Sequence, residues 1–223
     1  KPLISSEIKK SVLSTVEINK ELKEQLIVDF NKKIGVSNQI ELESWMKSNQ
    51  INQIEFENLA LADTRLKQYC EANFKHNVEA HFLERKNQLD IVSYSLLRLK
   101  DFYIARELYL RILEKEADFG DLAISFSEGI EKTTRGMIGP LPLEKAHTGL
   151  VDKLRNSKPG EVQPPIQIEG SYLLLRLESL EIAQLDSFMR GKMLLELFNK
   201  SIDEKTNEYY TNLLNRTKKN NNN

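Results

Sequence analysis

Residues 133–166 read TTRGMIGPLPLEKAHTGLVDKLRNSKPGEVQPPI. The stretch holds five of the six prolines and four of the nine glycines of a chain otherwise rich in helical patterns. Gly and Pro at that density mark defined turns, or backbone pressed against a neighbour. The stretch is therefore either a loop-rich connector or the wall of a site. Its flanks decide which.

Upstream, the pattern changes at Leu89, and DIVSYSLLRL (90–99) is rich in β-branched and aromatic residues, as a strand requires. FYIARELYLRILEKEA (102–117) returns to helical spacing, and Asp118, with Asp121 three positions on, opens a second helix, FGDLAISF. Downstream, VQPPIQI and SYLLLRLESL flank Glu169-Gly170, which predicts a tight hairpin. From Ile182 to about Leu214 the chain is helical again, with Leu185, Phe188, Met189, Leu194, Leu195 and Phe198 at its apolar positions.

The first 88 residues read as helices. Leu22, Leu26, Phe30 and Ile34 form an apolar stripe that Gly35 terminates. Asn38 with Glu41, and Asn52 with Glu55, have capping-box spacing. They open a short helix around Trp45 and Met46, then a long one carrying Leu59, Leu66, Cys70 and Phe74. The expected organisation is an N-terminal helical domain (1–88), a β-α-α-loop-β-β unit (89–181), a C-terminal helix (182–215) and a disordered tail (216–223) ending in KKNNNN. The fold class is α+β. The N-terminal stripes lack enough partners of their own, so the C-terminal helix is expected to pack back on them. Trp45, Met46 and Phe56 are candidates either for an apolar client groove or for core.

Composition limits the function. With 32 basic against 33 acidic residues and 40% hydrophobic content, no charge excess suggests nucleic acid or an anionic membrane. No apolar run is long enough to span a bilayer, so no integral membrane segment is expected. Cys70 is the only cysteine, which excludes an internal disulfide, and His76, His81 and His147 are scattered, so no metal site is expected. The strands are too few for a dinucleotide sheet and G-x-G-x-x-G is absent, so no cofactor is expected. The expected compartment is cytoplasmic, although a chain beginning at Lys1 is also compatible with a removed leader.

Four motifs carry a resemblance. ADFGDLAISFSEG is similar to the ADFxxLAxxxS helix of the parvulin-type peptidyl-prolyl isomerases, and RGMIG (135–139) stands where parvulins carry RGGDLG. KPGEVQPPI is similar to KPGExSxPV, and GSYLLLRLESL to the closing GYHIIKL strand. Their order and spacing are those of the family from about Asp90 to Leu180. The flanking helices resemble the SurA/PrsA class of chaperone-isomerases, and the whole arrangement resembles parvulin-like proteins of cyanobacteria. The resemblance implies a rotamase or folding factor, with unfolded or extended polypeptide clients containing proline as partners. It makes the opening stretch the wall of a proline cleft, with its Gly pair keeping the backbone close to the sheet.

Carried over by position, the resemblance implies an apolar pocket of Ile138, Ala146 and Leu150. The two family histidines become Tyr94 and Tyr172, expected as the paired floor of the cleft, and the family cysteine or aspartate falls on Gly129 or its neighbour Glu128. A tyrosine both donates and accepts hydrogen bonds, so a pair could rebuild the scaffold under the cleft. Sheet packing is the other reading of both tyrosines, and core burial that of the pocket residues. Two functions stay open: an isomerase with a degenerate site, or an inactive peptide-binding chaperone or secretion accessory. Arg98 and Lys100 are read as solvated charges, His147 as inert and Cys70 as a small buried hydrophobe.

Overall fold

A computed structural model describes residues 1–220, with elements α1 (Pro2–Ser14), α2 (Lys20–Ile34), α3 (Gln39–Ser48), α4 (Gln53–Phe74), α5 (Val78–Leu89), β1 (Ile91–Leu99), α6 (Phe102–Leu113), α7 (Phe119–Phe126), β2 (Met137–Pro142), α8 (Thr148–Asn156), β3 (Val162–Ile168), β4 (Ser171–Glu181) and α9 (Ser187–Asn220). The class is α+β. Two compact units result among the described residues: a helical one of 1–81 with 186–220, and a mixed one of Phe82–Leu185. The division falls within α5 and not at residue 88. The last helix runs to Asn220, past the expected end at 215, and residues 221–223 of the expected tail lie outside the described residues.

In the helical unit, the caps form where side chains can satisfy the open amides of a first turn. Asn52 Oδ1 accepts from the Glu55 amide, and the Glu55 carboxylate accepts from the Asn52 amide, both at 2.9 Å. Phe30, Trp45 and Phe56 meet edge to face with ring centroids 5.6–6.3 Å apart, and Phe56 is fully buried. Of the two readings of Trp45, Met46 and Phe56, core packing describes Phe56 and its ring contact with Trp45. Helix α9 packs on α1 and α4, with Tyr69 and Phe198 in ring contact at 5.7 Å. Cys70 lies buried in α4, and burial with the charge of Glu71 pushes its thiol up to about 11.

The mixed unit is one antiparallel sheet of order β2-β1-β4-β3. Within the sheet, prolines sit only in the edge strands: Pro140 and Pro142 in β2, Pro164 and Pro165 in β3. An edge strand has a free side on which the missing N–H costs nothing. The ladder with β4 slips at the β3 pair, between Gln163 and Ile166. Strands β1 and β4 are central, and both faces of each are covered. Val92, Tyr94, Leu96, Leu173, Leu175 and Leu177 point to one face, where Leu143, Leu150 and Leu154 bury against them. Leu97, Leu99 and Leu174 point to the other, under Leu108 of α6 and Phe119 and Leu122 of α7. Double coverage explains why both strands read as near-continuous apolar runs. The hairpin falls where expected, with Ile168 opposite Ser171 and both Glu169 and Gly170 at positive φ.

Candidate active site

The stretch that opened the sequence holds an edge strand, β2, where a loop is expected, and then the helix α8, in keeping with the short helix that the resemblance implies there. Two glycines set its path. Gly136 and Gly139 have φ of +84° and +104°, and a Cβ on them would stand 2.8 Å from the Leu96 carbonyl oxygen and 2.5 Å from that of Val92. Only glycine permits both the left-handed backbone and the close approach to β1. Arg135, itself at positive φ, holds the strand's entry by reaching Asp118 and Asp121 at 2.8 Å each.

Tyr94, Ile138, Ala146 and Leu150 gather on one face of the sheet. Tyr94 lies opposite Ile138 in β2 and opposite Leu177 in β4. Ala146 and Leu150 belong to the same apolar cluster, with Ile138 packed at its margin. They form a closed surface: Leu150 is 1% and Ala146 7% exposed, whereas Ile138 is half-buried. Tyr94 is 4% exposed, and its hydroxyl is raised above the ordinary phenol range, first by burial and then by the charge of Glu131.

Tyr172 does not join them. It pairs with Leu99, five residues along β1 from Tyr94, so an odd step places it on the opposite face, about 17 Å away by strand rise. There its ring meets Phe102 of α6 at 5.3 Å. The expected pair of tyrosines is therefore split. The residues that share Tyr94's face on β4 are Leu173, Leu175 and Leu177, which are buried and apolar.

Gly129 sits at the N-terminus of a 3-10 turn (Ile130–Thr134), and the carboxylate of Glu131 folds back over it. Glu131 is 4% exposed. Its Oε1 accepts a 2.7 Å bond from Ser127 Oγ and lies 3.8 Å from Arg98 Nε. Ser127 Oγ in turn accepts from the Arg98 amide at 3.0 Å, and the Glu128 amide donates to the Arg98 carbonyl. The loop after α7 is thus stitched to the end of β1. Glu128 turns outward and pairs with Lys100 at 3.5 Å. Glu131 was invisible to sequence reasoning, because nothing in a turn's spacing tells that its side chain returns to residue 129.

His147 caps α8: its Nδ1 accepts from the Gly149 amide at 3.2 Å, which leaves Nε2 to donate toward Glu169 at 3.3 Å. Among the described residues, no three His, Cys, Asp or Glu side chains gather where they could hold a metal ion. Nor, among those residues, is any helix long and apolar enough to cross a membrane.

Residues 103–179 match the family model of the rotamase, PPIC-type PPIASE domain, so the mixed unit carries a PPIC-type domain. Two solved structures resemble the chain over most of its length. One is the peptidylprolyl isomerase PrsA from Bacillus anthracis: 15% identity, 94% of this chain and 97% of that one covered, TM-score 0.53. The other is PrsA from Bacillus cereus: 16% identity, 93% and 81% covered, TM-score 0.52. At these identities the likeness is one of fold. No curated protein matches the chain.

Proposed function

We propose that the mixed unit binds proline-containing segments of extended polypeptide clients and accelerates rotation about the X–Pro bond. The observation that carries this reading is the PPIC-type match over 103–179, on a sheet complete in all four strands. An uncatalysed prolyl bond turns over in tens to hundreds of seconds, because amide resonance opposes rotation. No nucleophile is required. A site need only remove water from the amide and favour its twisted form, in which nitrogen recovers its lone pair. On this reading the proline ring lies against the half-buried Ile138, with Tyr94 beneath and Ala146 and Leu150 as fixed backing. Gly129, under the folded-back carboxylate of Glu131, would mark the polar end.

The helical unit would hold the client. Support comes from an open groove of about 580 Å³ between α1 and α4, with Leu13, Ile51, Leu59 and Ala62 along it and Lys10 and Arg65 at its rim. An extended apolar segment fits such a lining. Leu59→Glu is expected to weaken suppression of client aggregation without unfolding the chain, since Leu59 is 49% exposed. Full suppression by that variant would remove the groove from the account.

A second reading rests on the closure of Leu150 and Ala146 and on the separation of the two tyrosines. On it, the domain binds extended peptides without isomerising them. A protease-coupled assay on a short proline peptide decides between the two. A rate above background supports the isomerase. Background rate with retained peptide binding supports the binding module.

A further inference from the structure

Glu55, Asn58, Leu59, Ala62 and Arg65 recur at steps of three and four along α4, so they share one side of that helix and line the groove beside α1. Leu59 and Ala62 make this wall apolar, and Arg65 closes it with a cation. Across the groove, α1 contributes Glu7, Lys9 and Lys10. Three cations thus face two carboxylates, and the question is which of these charges are already paired.

Both carboxylates are committed within the chain. Glu7 pairs with Lys10 at 3.4 Å, and Glu55 accepts from the Asn52 amide at 2.9 Å as half of the α4 capping box. Lys9 stands 5.7 Å over the Phe198 ring. Glu57, on the same helix as Arg65, is taken by Lys23 at 2.5 Å. Among the described residues, Arg65 has no carboxylate partner: its Nη1 donates to Asn58 Oδ1 at 2.8 Å, and its Nε is buried without an acceptor. A guanidinium offers five N–H donors, so one bond to a neutral amide leaves most of the fork unmet. A buried donor without an acceptor costs free energy until one is supplied. Asn58 meanwhile holds the fork in place, which lowers the entropy cost of using it.

We propose that the α1–α4 groove selects extended apolar client segments that carry an acidic side chain, whose carboxylate pairs with Arg65 while its apolar neighbours lie on Leu59 and Ala62. This rests on the reading of the groove as the client holder and adds its selectivity. Helical rise fixes the spacing. Leu59 and Arg65 are about 9 Å apart along α4, the span of about three extended residues. The acid therefore sits two or three residues from the apolar anchor. A client lysine in that place would meet only cations in excess, so the groove rejects by charge as well as accepting by apolar fit. Composition conceals this, because a net charge of -1 averages the groove with the rest of the surface.

The test varies one charge on each side. Fluorescein-labelled peptides of alternating leucine and serine, with blocked ends and no proline, carry glutamate, glutamine or lysine at the centre. Their binding to the whole chain is read by fluorescence anisotropy, with circular dichroism melts to confirm that variants fold. The parent is expected to bind the glutamate peptide about tenfold more tightly than the glutamine one, and the lysine peptide least. Added salt should narrow that gap, a result that needs no variant. Arg65→Gln, which can still bond Asn58, should bring the glutamate peptide down to the glutamine level, and Arg65→Glu should favour the lysine peptide. Arg190→Gln removes a cation of the same unit outside the groove and should keep the parent preference. Equal binding of the glutamate and glutamine peptides, with both weakened by Leu59→Glu, would overturn the charge selectivity and leave the groove standing. A preference kept in Arg65→Gln would overturn the role of Arg65. A glutamine peptide with a free C-terminal carboxylate that binds as well as the glutamate one would overturn the side-chain assignment in favour of a chain terminus. Binding indifferent to Leu59→Glu, or no binding of any peptide, would overturn the groove reading and this inference with it.

Discussion

The two faces of the sheet are built from the same two central strands but are covered differently. Helices α6 and α7 lie over one face, and they bring long side chains such as Phe119 and Leu108 to a dry core. The other face is covered by a 3-10 turn at Leu143 and by α8, of nine residues, and it carries Tyr94 with Glu131 nearby. The first face is a stability device, and the second combines a core with polar groups at its margin. The proposed site lies where coverage is thinnest, because a peptide needs an edge to reach. The two faces can therefore be separated by experiment, since damage to one should reach stability alone and damage to the other should reach stability and turnover.

The largest effect is expected from Leu150→Asp. Leu150 is 1% exposed among leucines, so a carboxylate there would be buried with no cationic partner. A loss of more than about 4 kcal/mol follows, enough to unfold the mixed unit. Loss of its strand signal by circular dichroism, with loss of peptide binding, is the expected result. A folded variant would show that α8 can swing away from the sheet. The milder pair Leu150→Ala and Leu108→Ala compares the faces directly, as both side chains are 1% exposed. Each should cost roughly 2–5 kcal/mol in urea unfolding. Below the transition, only Leu150→Ala should lower kcat/KM, because only Leu150 backs the proposed cleft.

The tyrosines sharpen the same contrast. Tyr94→Phe removes a hydroxyl from the cleft face, and a buried peptide group left without that partner costs about 1–3 kcal/mol. Carried wholly by the transition state, that slows turnover roughly ten- to a hundredfold. Tyr172→Phe, on the α6 face, should leave turnover within about twofold. Equal rates for both variants would make both tyrosines packing residues. Titration gives a further check. Because Tyr94 binds its proton more tightly in the folded state, its contribution to stability is complete below the ordinary phenol pKa and is lost as pH rises through the elevated one.

Much of the fold was legible because the signals were local. The caps Asn38, Asn52 and Asp118 each act within four residues, and each accepts the expected amide. The Glu169-Gly170 turn is equally local. What failed needed either register or return of the chain. The run Leu173-Leu174-Leu175 does not alternate, because both faces of β4 are covered, and a strand without alternation hides which residue faces which side. A one-residue shift of the last strand turns each side chain to the other face, so motif position alone assigns Tyr172 to the face of Tyr94. Strand β2 was hidden by Gly139, Pro140 and Pro142, which are compatible with an edge strand and typical of a loop. Glu131 depends on a fold-back that no period records.

The smallest effect tests how the α6–α7 face is clamped. Asp118 caps α7 through the Asp121 amide at 3.1 Å and meets Arg135 at 2.8 Å. Its carboxyl is held below the usual range, chiefly by the Asp121 amide, with Arg135 and the Gly120 amide adding to it against some desolvation. A depressed folded pKa means that the contribution is complete above the unfolded value of about 3.9 and disappears as pH falls through the folded one. Asp118→Asn separates the cap from the charge, since asparagine caps as well as aspartate. What it loses is the pairing of an exposed carboxylate with Arg135, worth at most about 1 kcal/mol. Urea midpoints at pH 7 should therefore differ slightly in favour of the parent, and the difference should close at pH 3, where the parent carboxyl is losing its charge. A gap that persists unchanged in acid would mean that Arg135 is held by Asp121 alone, and that the entry to β2 does not depend on the charge of Asp118.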